Sequence, residues 1–289
     1  MTTPSDRAWF RRMREQSGSL GFLSDFATLT ASSARSGFAA SNLKTWTGTG
    51  VGRVWRSSGS TAESLLFDFG SAVSLNWCCV AGPASKGLRD VGTDPVVLTL
   101  KAGAANTTTT TIGTLVYSPS TGGWSLDFAS VSFRYWKLLL DRSGGSGVGY
   151  FQVARVALDS AEEFPTNFGE DFSEGIENLT RSYEMADGGM IPRFRKPRSV
   201  LLLPFPHVGK DSGDLDVWNR FRGYAGEDAS ANAPEFPLYF SPDPSGVRAG
   251  TEGHCAPRFC WVRTVQPFAG VGAAGRIFSS GLELVGVGR

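Results

Sequence analysis

SLLFDFG (Ser64–Gly70) and RYWKLLLD (Arg134–Asp141) are the two stretches whose reading decides the fold. Leu65, Phe67 and Phe69 alternate with Leu66 and Asp68, the period of a strand with one buried face. Gly70 is expected to end that run. In the second stretch Tyr135, Lys137 and Leu139 point one way, and Trp136, Leu138 and Leu140 the other. DRSGGSGVG (Asp141–Gly149) then makes a turn-rich connection, after which Phe151, Val153 and Val156 resume the apolar set.

Further short strands are expected at Asn76–Gly82, Val96–Ala102, Ile112–Tyr117 and Trp124–Phe128. Many short strands punctuated by Gly, Ser, Thr and Pro predict a β-sandwich. The Thr107–Thr111 run reads as an exposed strand edge or loop, and such an edge is able to pair with another subunit. The chain has 289 residues, 41% of them hydrophobic, with 20 Phe and 8 Trp, so it carries enough apolar material for two folded domains. A formal net charge of +1 lacks the basic footprint of a duplex nucleic-acid binder. No apolar run reaches the length of a membrane-spanning helix. MTTPSDRAWFRRMREQ (Met1–Gln16) lacks the apolar core of a signal peptide and reads as a short basic helix capped by Asp6, with Trp9, Phe10 and Met13 on one side. Synthesis in a cytoplasm is expected, where four Cys are thiols more often than disulfides.

NLKTWTGTGVGRVWRSSG (Asn42–Gly59) followed by SLLFDFG, and RYWKLLLD followed by YFQVARVAL (Tyr150–Leu158), resemble the two ends of a discoidin-type, galactose-binding-like jelly roll. The resemblance covers roughly residues 20–160. It implies a β-sandwich that binds surfaces or sugars through the loops at one end, and only sometimes accompanies catalysis. It also implies a buried Trp55. Trp46, Arg53 and Arg56 lie near such an end, with Arg89 and Asp90 on the Gly87–Pro95 loop and Trp124 after Gly122–Gly123. Aromatic planes stack on sugar rings and arginines donate to hydroxyls or anionic groups, so these six are the candidate ligand-binding residues.

The composition changes near residue 160. Asp159–Glu177 holds seven acidic residues and no basic one, with Pro165 and Gly169 interrupting any helix. It reads as an acidic linker over 161–177, or else as a clip in which Phe164, Phe168 and Phe172 seat on a neighbouring subunit. Beyond it, strands are expected at Leu179–Ala186, with a turn at Gly188–Gly189, and at Ser199–Pro206, a continuous apolar run consistent with burial on both faces. A short helix follows from Ser212 or Asp214, with Leu215, Trp218 and Phe221 on one stripe. Strands at Phe236–Phe240, Arg258–Val265 and Ile277–Val287 close an α+β domain over 178–289.

Val200–Leu203, Val217–Tyr224, Phe236–Tyr239 and Leu282–Leu284 together resemble the tube-like domain of phage tail-tip and distal tail proteins. In that family the tube-like domain more often precedes the carbohydrate-binding-like one. The resemblance implies a structural component of a tail tip or baseplate within a virion. It would form a ring or trimer around the tail axis and contact tail tube, hub and fibre proteins, with host surface glycan as a further partner.

Constellations for chemistry are sparse. Gly270, Gly272 and Gly275 spell the dinucleotide fingerprint, but Arg276–Val285 after them alternates like a strand, so a hairpin is expected and not a phosphate-binding helix. His254, Cys255 and Cys260 form one tight cluster of soft ligands, without the second ligand pair that a zinc site needs. Cys78 and Cys79 are adjacent on a strand and point to opposite faces. His207 stands alone on a loop. Asp211, Asp214 and Asp216 lack the Gly and Glu of a calcium loop, and helix capping accounts for them. Two His and no nucleophile elbow leave no triad. The expected protein is mainly β: an arm over 1–19, a jelly roll over 20–160, the acidic linker over 161–177 and the α+β domain over 178–289. No catalysis, cofactor or metal is expected. The alternatives are a free-standing carbohydrate-binding module and a glycan-cleaving enzyme.

Overall fold

The computed structural model describes residues 9–11, 14–16, 19–44, 54–81, 96–118, 123–142, 149–164, 173–177, 181–184, 190–193, 198–209, 238–242, 258–265, 269–271 and 277–286. The described chain is mainly β, and its strand pairs run antiparallel. It falls into two compact units. One is centred on Met13–Ala161, and the other combines Ser5–Arg12 with Glu162–Arg289.

The N-terminus differs from the expected basic helix. Trp9–Arg11 (β1) is a strand of the second unit, and Arg14–Gln16 (β2) pairs with Ser19–Gly21 (β3) as a hairpin of the first. Successive strand residues face opposite ways, yet Trp9 and Phe10 are both buried. A strand covered on both faces satisfies that pair, whereas an exposed arm would leave both rings in water.

In the first unit, Leu23–Phe26 (α1) leads to Thr28–Ala31 (β4), a 3-10 turn over Ala40–Lys44 and Trp55–Arg56 (β5). Ala62–Ala81 (β6), Val97–Gly103 (β7), Thr110–Thr114 (β8), Val116–Ser118 (β9) and Gly123–Asp141 (β10) follow, then Gln152–Val153 (β11) and Arg155–Asp159 (β12). The main sheet has the order β12-β6-β10-β7-β8, with β4 also on β6 and β9 also on β10. The expected alternation is present: Leu65, Phe67, Trp136, Leu138 and Leu140 are buried while Leu66, Asp68, Lys137 and Leu139 are half-exposed.

Gly70 does not end its run. It sits at φ +77, a conformation glycine adopts without a Cβ clash, inside a strand of 20 residues. Register shifts in β10 between Asp127 and Val131, and again between Phe133 and Tyr135, lie opposite this region. The rings of Phe128 and Trp136 lie 5.8 Å apart, whereas eight residues of straight strand span about 26 Å. Both long strands therefore bend, and their two halves share one core that includes Leu65, Leu75, Val80, Trp124, Trp136 and Leu158. Arg134 fixes the bend on the outside. Its Nε and Nη2 donate to Asp68 at 2.8 and 3.0 Å, and the Gly70 N–H donates to the same carboxylate at 2.8 Å.

A second polar clamp lies beneath α1. Arg155, on β12, donates to the Asp25 carboxylate and to the Leu43 carbonyl. Asp25 also accepts from the Phe22 N–H, and Asp159 from the Leu23 N–H, both at 2.8 Å. Burial pushes the Asp25 carboxyl above its ordinary range, against the pull of the Arg155 charge.

The second unit contains Glu162–Glu163 (β13), Ser173–Glu177 (β14), Arg181–Glu184 (β15), Met190–Arg193 (β16) and Arg198–Gly209 (β17). Leu238–Ser241 (β18), Arg258–Val265 (β19), Ala269–Val271 (β20) and Ile277–Gly286 (β21) complete it. The large sheet has the order β13-β1-β18-β19-β21-β17-β14. The acidic segment expected to be a linker thus supplies the strands at both ends of this order. Carboxylates suit that place, because charge on an edge strand discourages pairing with a further chain. Glu162 takes a hydrogen bond from Arg11 at 3.0 Å. Phe164, expected as a clip, is buried between Phe10 and Phe240 at ring distances of 4.5 and 6.3 Å; Phe168 and Phe172 lie outside the described residues. The apolar run in β17 is not buried on both faces, since Leu201 and Leu203 are enclosed while Leu202 is 47% exposed. The glycines of the fingerprint motif open on β20, which pairs antiparallel with β21 as a hairpin. The helix expected after Ser212 lies outside the described residues.

Candidate functional site

Three segments remote in sequence meet in the first unit. Arg35 and Phe38 flank a tight turn closed by the Phe38 N–H on the Arg35 carbonyl at 3.0 Å. Gly37 in that turn has φ +81, the conformation a turn residue of this kind reserves for glycine. The turn is tied at both ends to one residue of β5: Arg35 N–H donates to the Arg56 carbonyl at 2.9 Å, and Arg56 N–H to the Phe38 carbonyl at 3.3 Å. β5 in turn pairs with β11, placing Arg56 opposite Gln152.

Tyr150 enters beside Arg56 because Phe151 is locked next to it. The buried Ser57 Oγ accepts from the Phe151 N–H at 2.7 Å, and the Ser57 N–H donates to the Phe151 carbonyl at 3.0 Å. The buried Trp55 donates its indole N–H to the Ser33 carbonyl at 2.9 Å, which holds the approach to the turn. Behind it, Glu63 accepts from Ser32, from Ser33 at 2.6 Å and from the Gly59 N–H at 2.9 Å. With these donors Glu63 ties the surrounding loops together.

The resulting surface carries two guanidinium groups and two rings. The Arg35 guanidinium lies 4.8 Å from the Tyr150 ring centre and that of Arg56 lies 4.9 Å from it. Arg56 also lies 4.2 Å from the centre of the Phe38 ring. Each arginine is oriented by a neutral oxygen: Arg35 donates to the Gly149 carbonyl at 2.8 Å, and Arg56 Nε to the Gln152 side-chain oxygen at 2.6 Å. Arg35 is exposed, while Phe38, Arg56 and Tyr150 are half-exposed. Guanidiniums held over ring faces by fixed neutral acceptors suit a ligand with hydroxyl or anionic groups.

Of the two sequence candidates that lie among the described residues, Arg56 is at this surface and Trp124 is not. Trp124 is 6% exposed and packs against Tyr117 at 4.8 Å, so it belongs to the core. Trp46, Arg53, Arg89 and Asp90 lie outside the described residues. Arg35, Phe38, Tyr150 and Gln152 were not picked. The Gly37 turn and the glycine-rich run before Tyr150 are the signals that point to them. Cys78 and Cys79 are both buried, and burial pushes both thiols up, which leaves them inert as nucleophiles. Among the described residues no group of His, Cys, Asp or Glu is placed to hold a metal ion. His207 lies at the end of β17, and Cys260 in β19, while His254, Cys255, Asp211, Asp214 and Asp216 lie outside the described residues. Among the described residues, no helix is long and apolar enough to cross a membrane.

No family model matches the chain, and no curated protein matches it. Solved structures do. A chitosan-binding module from a Paenibacillus sp. IK-5 chitosanase/glucanase is 19% identical, covers 47% of this chain and 97% of its own, and has a TM-score of 0.37. A family 32 carbohydrate-binding module of Clostridium perfringens, in complex with GalNAc-β-1,3-galactose, is 14% identical, covers 48% and 99%, and has a TM-score of 0.38. A Ruminococcus gnavus GH29 fucosidase, 12% identical, covers 49% of this chain but 27% of its own, at a TM-score of 0.39.

Proposed function

We propose that this chain is a non-catalytic glycan-binding protein whose first unit presents Arg35, Phe38, Arg56 and Tyr150 to sugar. The observation that carries the reading is the way the surface is held. Backbone hydrogen bonds tie the 35–38 turn to β5, and β5 pairs with β11, so the two arginines and two rings stand fixed before any ligand arrives. Such pre-organisation lowers the entropy lost on binding. A ring face that no guanidinium covers would stack on a pyranose ring, while the remaining guanidinium N–H groups reach ring substituents.

The test is affinity electrophoresis of the full chain through gels containing soluble polysaccharides, neutral and acidic. Retardation by at least one polymer, reduced about tenfold or more in affinity by Tyr150→Ala, is expected. Retardation that Tyr150→Ala leaves unchanged would place the sugar elsewhere.

A tail-tip role is the second reading, favoured by one feature of the second unit. On β17, Val200, Leu202 and Pro204 share a face, with Leu202 exposed and its two neighbours half-buried. An apolar row of this kind suits cover by a neighbouring subunit in a ring or trimer around a tail axis, with tail tube, hub and fibre proteins as further partners in a virion. Native mass of the purified chain separates the readings: a closed oligomer favours assembly, and a monomer favours the binding module.

A further inference from the structure

We infer that the ligand of the Arg35–Arg56–Tyr150 surface is an acidic glycan, one whose carboxylate or sulfate group seats between the two guanidiniums. The inference rests on the glycan-binding reading and adds the charge of the ligand to it.

The reason lies in how three other arginines of the described chain are neutralised. Arg11 pairs with Glu162, Arg134 with Asp68 and Arg155 with Asp25. Arg35 and Arg56 pair with no carboxylate among the described residues. Each spends one side-chain N–H on a neutral oxygen, Gly149 O or Gln152 Oε1, and keeps the rest of its donor fork for something else. Both charges lie within 5 Å of the same ring centre, so they are at most about 10 Å apart. At up to that separation on an exposed face the two charges repel only weakly, so what distinguishes them is the absence of a carboxylate partner among the described residues. An anion at this surface accepts charge-assisted, bidentate hydrogen bonds from a planar fork that matches carboxylate and sulfate geometry.

A neutral sugar would use the ring faces and leave the charges uncompensated. A nucleic acid would meet only two charges and one or two rings on a chain of net charge +1, too small a footprint for backbone neutralisation. An acidic sugar uses both halves of the surface at once. Gln152, itself buried, keeps Arg56 turned toward Tyr150, so the fork geometry does not depend on the ligand.

The experiment compares acidic polymers with neutral forms of the same backbone on the full chain. The pairs are polygalacturonate with its methyl ester, alginate with carboxyl-reduced alginate, and dextran sulfate with dextran. Single-stranded DNA serves as a non-sugar polyanion. The expected result is binding to at least one acidic member about tenfold or more tighter than to its neutral partner, weakening as NaCl rises from about 50 to about 500 mM. Arg35→Gln and the double variant Arg35→Gln/Arg56→Gln should each remove most of that preference, while Arg134→Gln leaves it unchanged. Near-ultraviolet circular dichroism checks that the variants are folded, and the exposed Arg35→Gln alone keeps the test valid if the double variant is not. Equal affinity for both members of every pair, abolished by Tyr150→Ala, would overturn the acidic ligand and leave glycan binding standing. Binding to no polymer overturns both. Tighter binding to DNA than to any acidic polymer, or equal loss in Arg134→Gln, also overturns the inference.

Discussion

Two arginine sites in the first unit use the same side chain to opposite ends. Arg155 is enclosed beneath α1, with a carboxylate, a backbone carbonyl and its own strand around it. Arg35 and Arg56 sit at a loop end with neutral oxygens and aromatic rings for company. Taking a charge out of water is costly unless a partner of opposite sign goes with it. The buried arginine therefore comes with Asp25, and its task is to hold α1 and the 3-10 turn on the sheet. Arg35 is exposed and Arg56 half-exposed, so both keep hydration without a carboxylate partner among the described residues. Arg134 stands between these cases: 42% of its side chain is exposed, yet it is fully engaged by Asp68. Exposure alone thus does not separate the two kinds of site; the presence of a carboxylate partner does.

The largest effect comes from breaking the buried side of the comparison. Asp25→Ala removes the carboxylate that Arg155 donates to and the side-chain acceptor of the Phe22 N–H. A loss of about 3–5 kcal/mol is expected in urea unfolding of the full chain. Polysaccharide retention by the folded fraction should stay as it was, because Asp25 makes no contact with the Arg35 turn. A loss under 1 kcal/mol would mean that Arg155 is served well enough by the Leu43 carbonyl and water.

Next in size is the bend that lets the two long strands close over one core. Gly70→Ala meets no atom within 4 Å, so its cost is conformational only. A non-glycine residue in that backbone region costs about 1–2 kcal/mol. Unfolding of the variant measures it, and an unchanged midpoint would mean that β6 has relaxed into a different register.

How far these features can be read in the sequence follows the same division. Leu65, Phe67, Trp136 and Leu138 announce a one-sided sheet because burial imposes a period of two on neighbouring letters. Gly70 misleads because glycine both terminates strands and bends them, and only the pairing of β6 with β10 on each side of it decides. Glu162, Glu163, Glu174 and Glu177 read as linker because polarity without period looks unstructured, yet edge strands call for the same charges. Of the candidate site, Arg56 is visible beside Trp55, in a string that resembles a family. Arg35 and Tyr150 are not. Their meeting depends on a hydrogen bond between residues 114 positions apart, and no local pattern encodes it.

On the exposed side the expected energy is small. Arg35→Gln removes one hydrogen bond to Gly149 and one ring contact at an exposed position, so stability should move by no more than about 0.5 kcal/mol. Thermal unfolding beside the Asp25→Ala variant sets the contrast directly. A loss above 2 kcal/mol would make Arg35 a structural residue and remove the distinction drawn above.

The smallest effect concerns Arg134, the exposed but engaged case. Hydrogen bonds from Arg134, then from the Gly70 N–H, hold the Asp68 carboxyl below its ordinary value of 3.8. A carboxyl lowered on folding stabilises the folded state above the unfolded value, and that contribution is lost as pH falls through the folded one. The contribution is therefore complete at neutral pH and is lost only in the window below 3.8. Other carboxylates titrate there too, so the informative quantity is the difference between the wild-type chain and Asp68→Asn as acid is added. The gap should be widest near neutrality and close as pH falls below 3.8, with added salt narrowing it at neutral pH. A gap that persists unchanged into acid would assign Asp68 to shape alone, and Arg134 would then join Arg35 and Arg56 among the arginines whose charge the fold leaves unused.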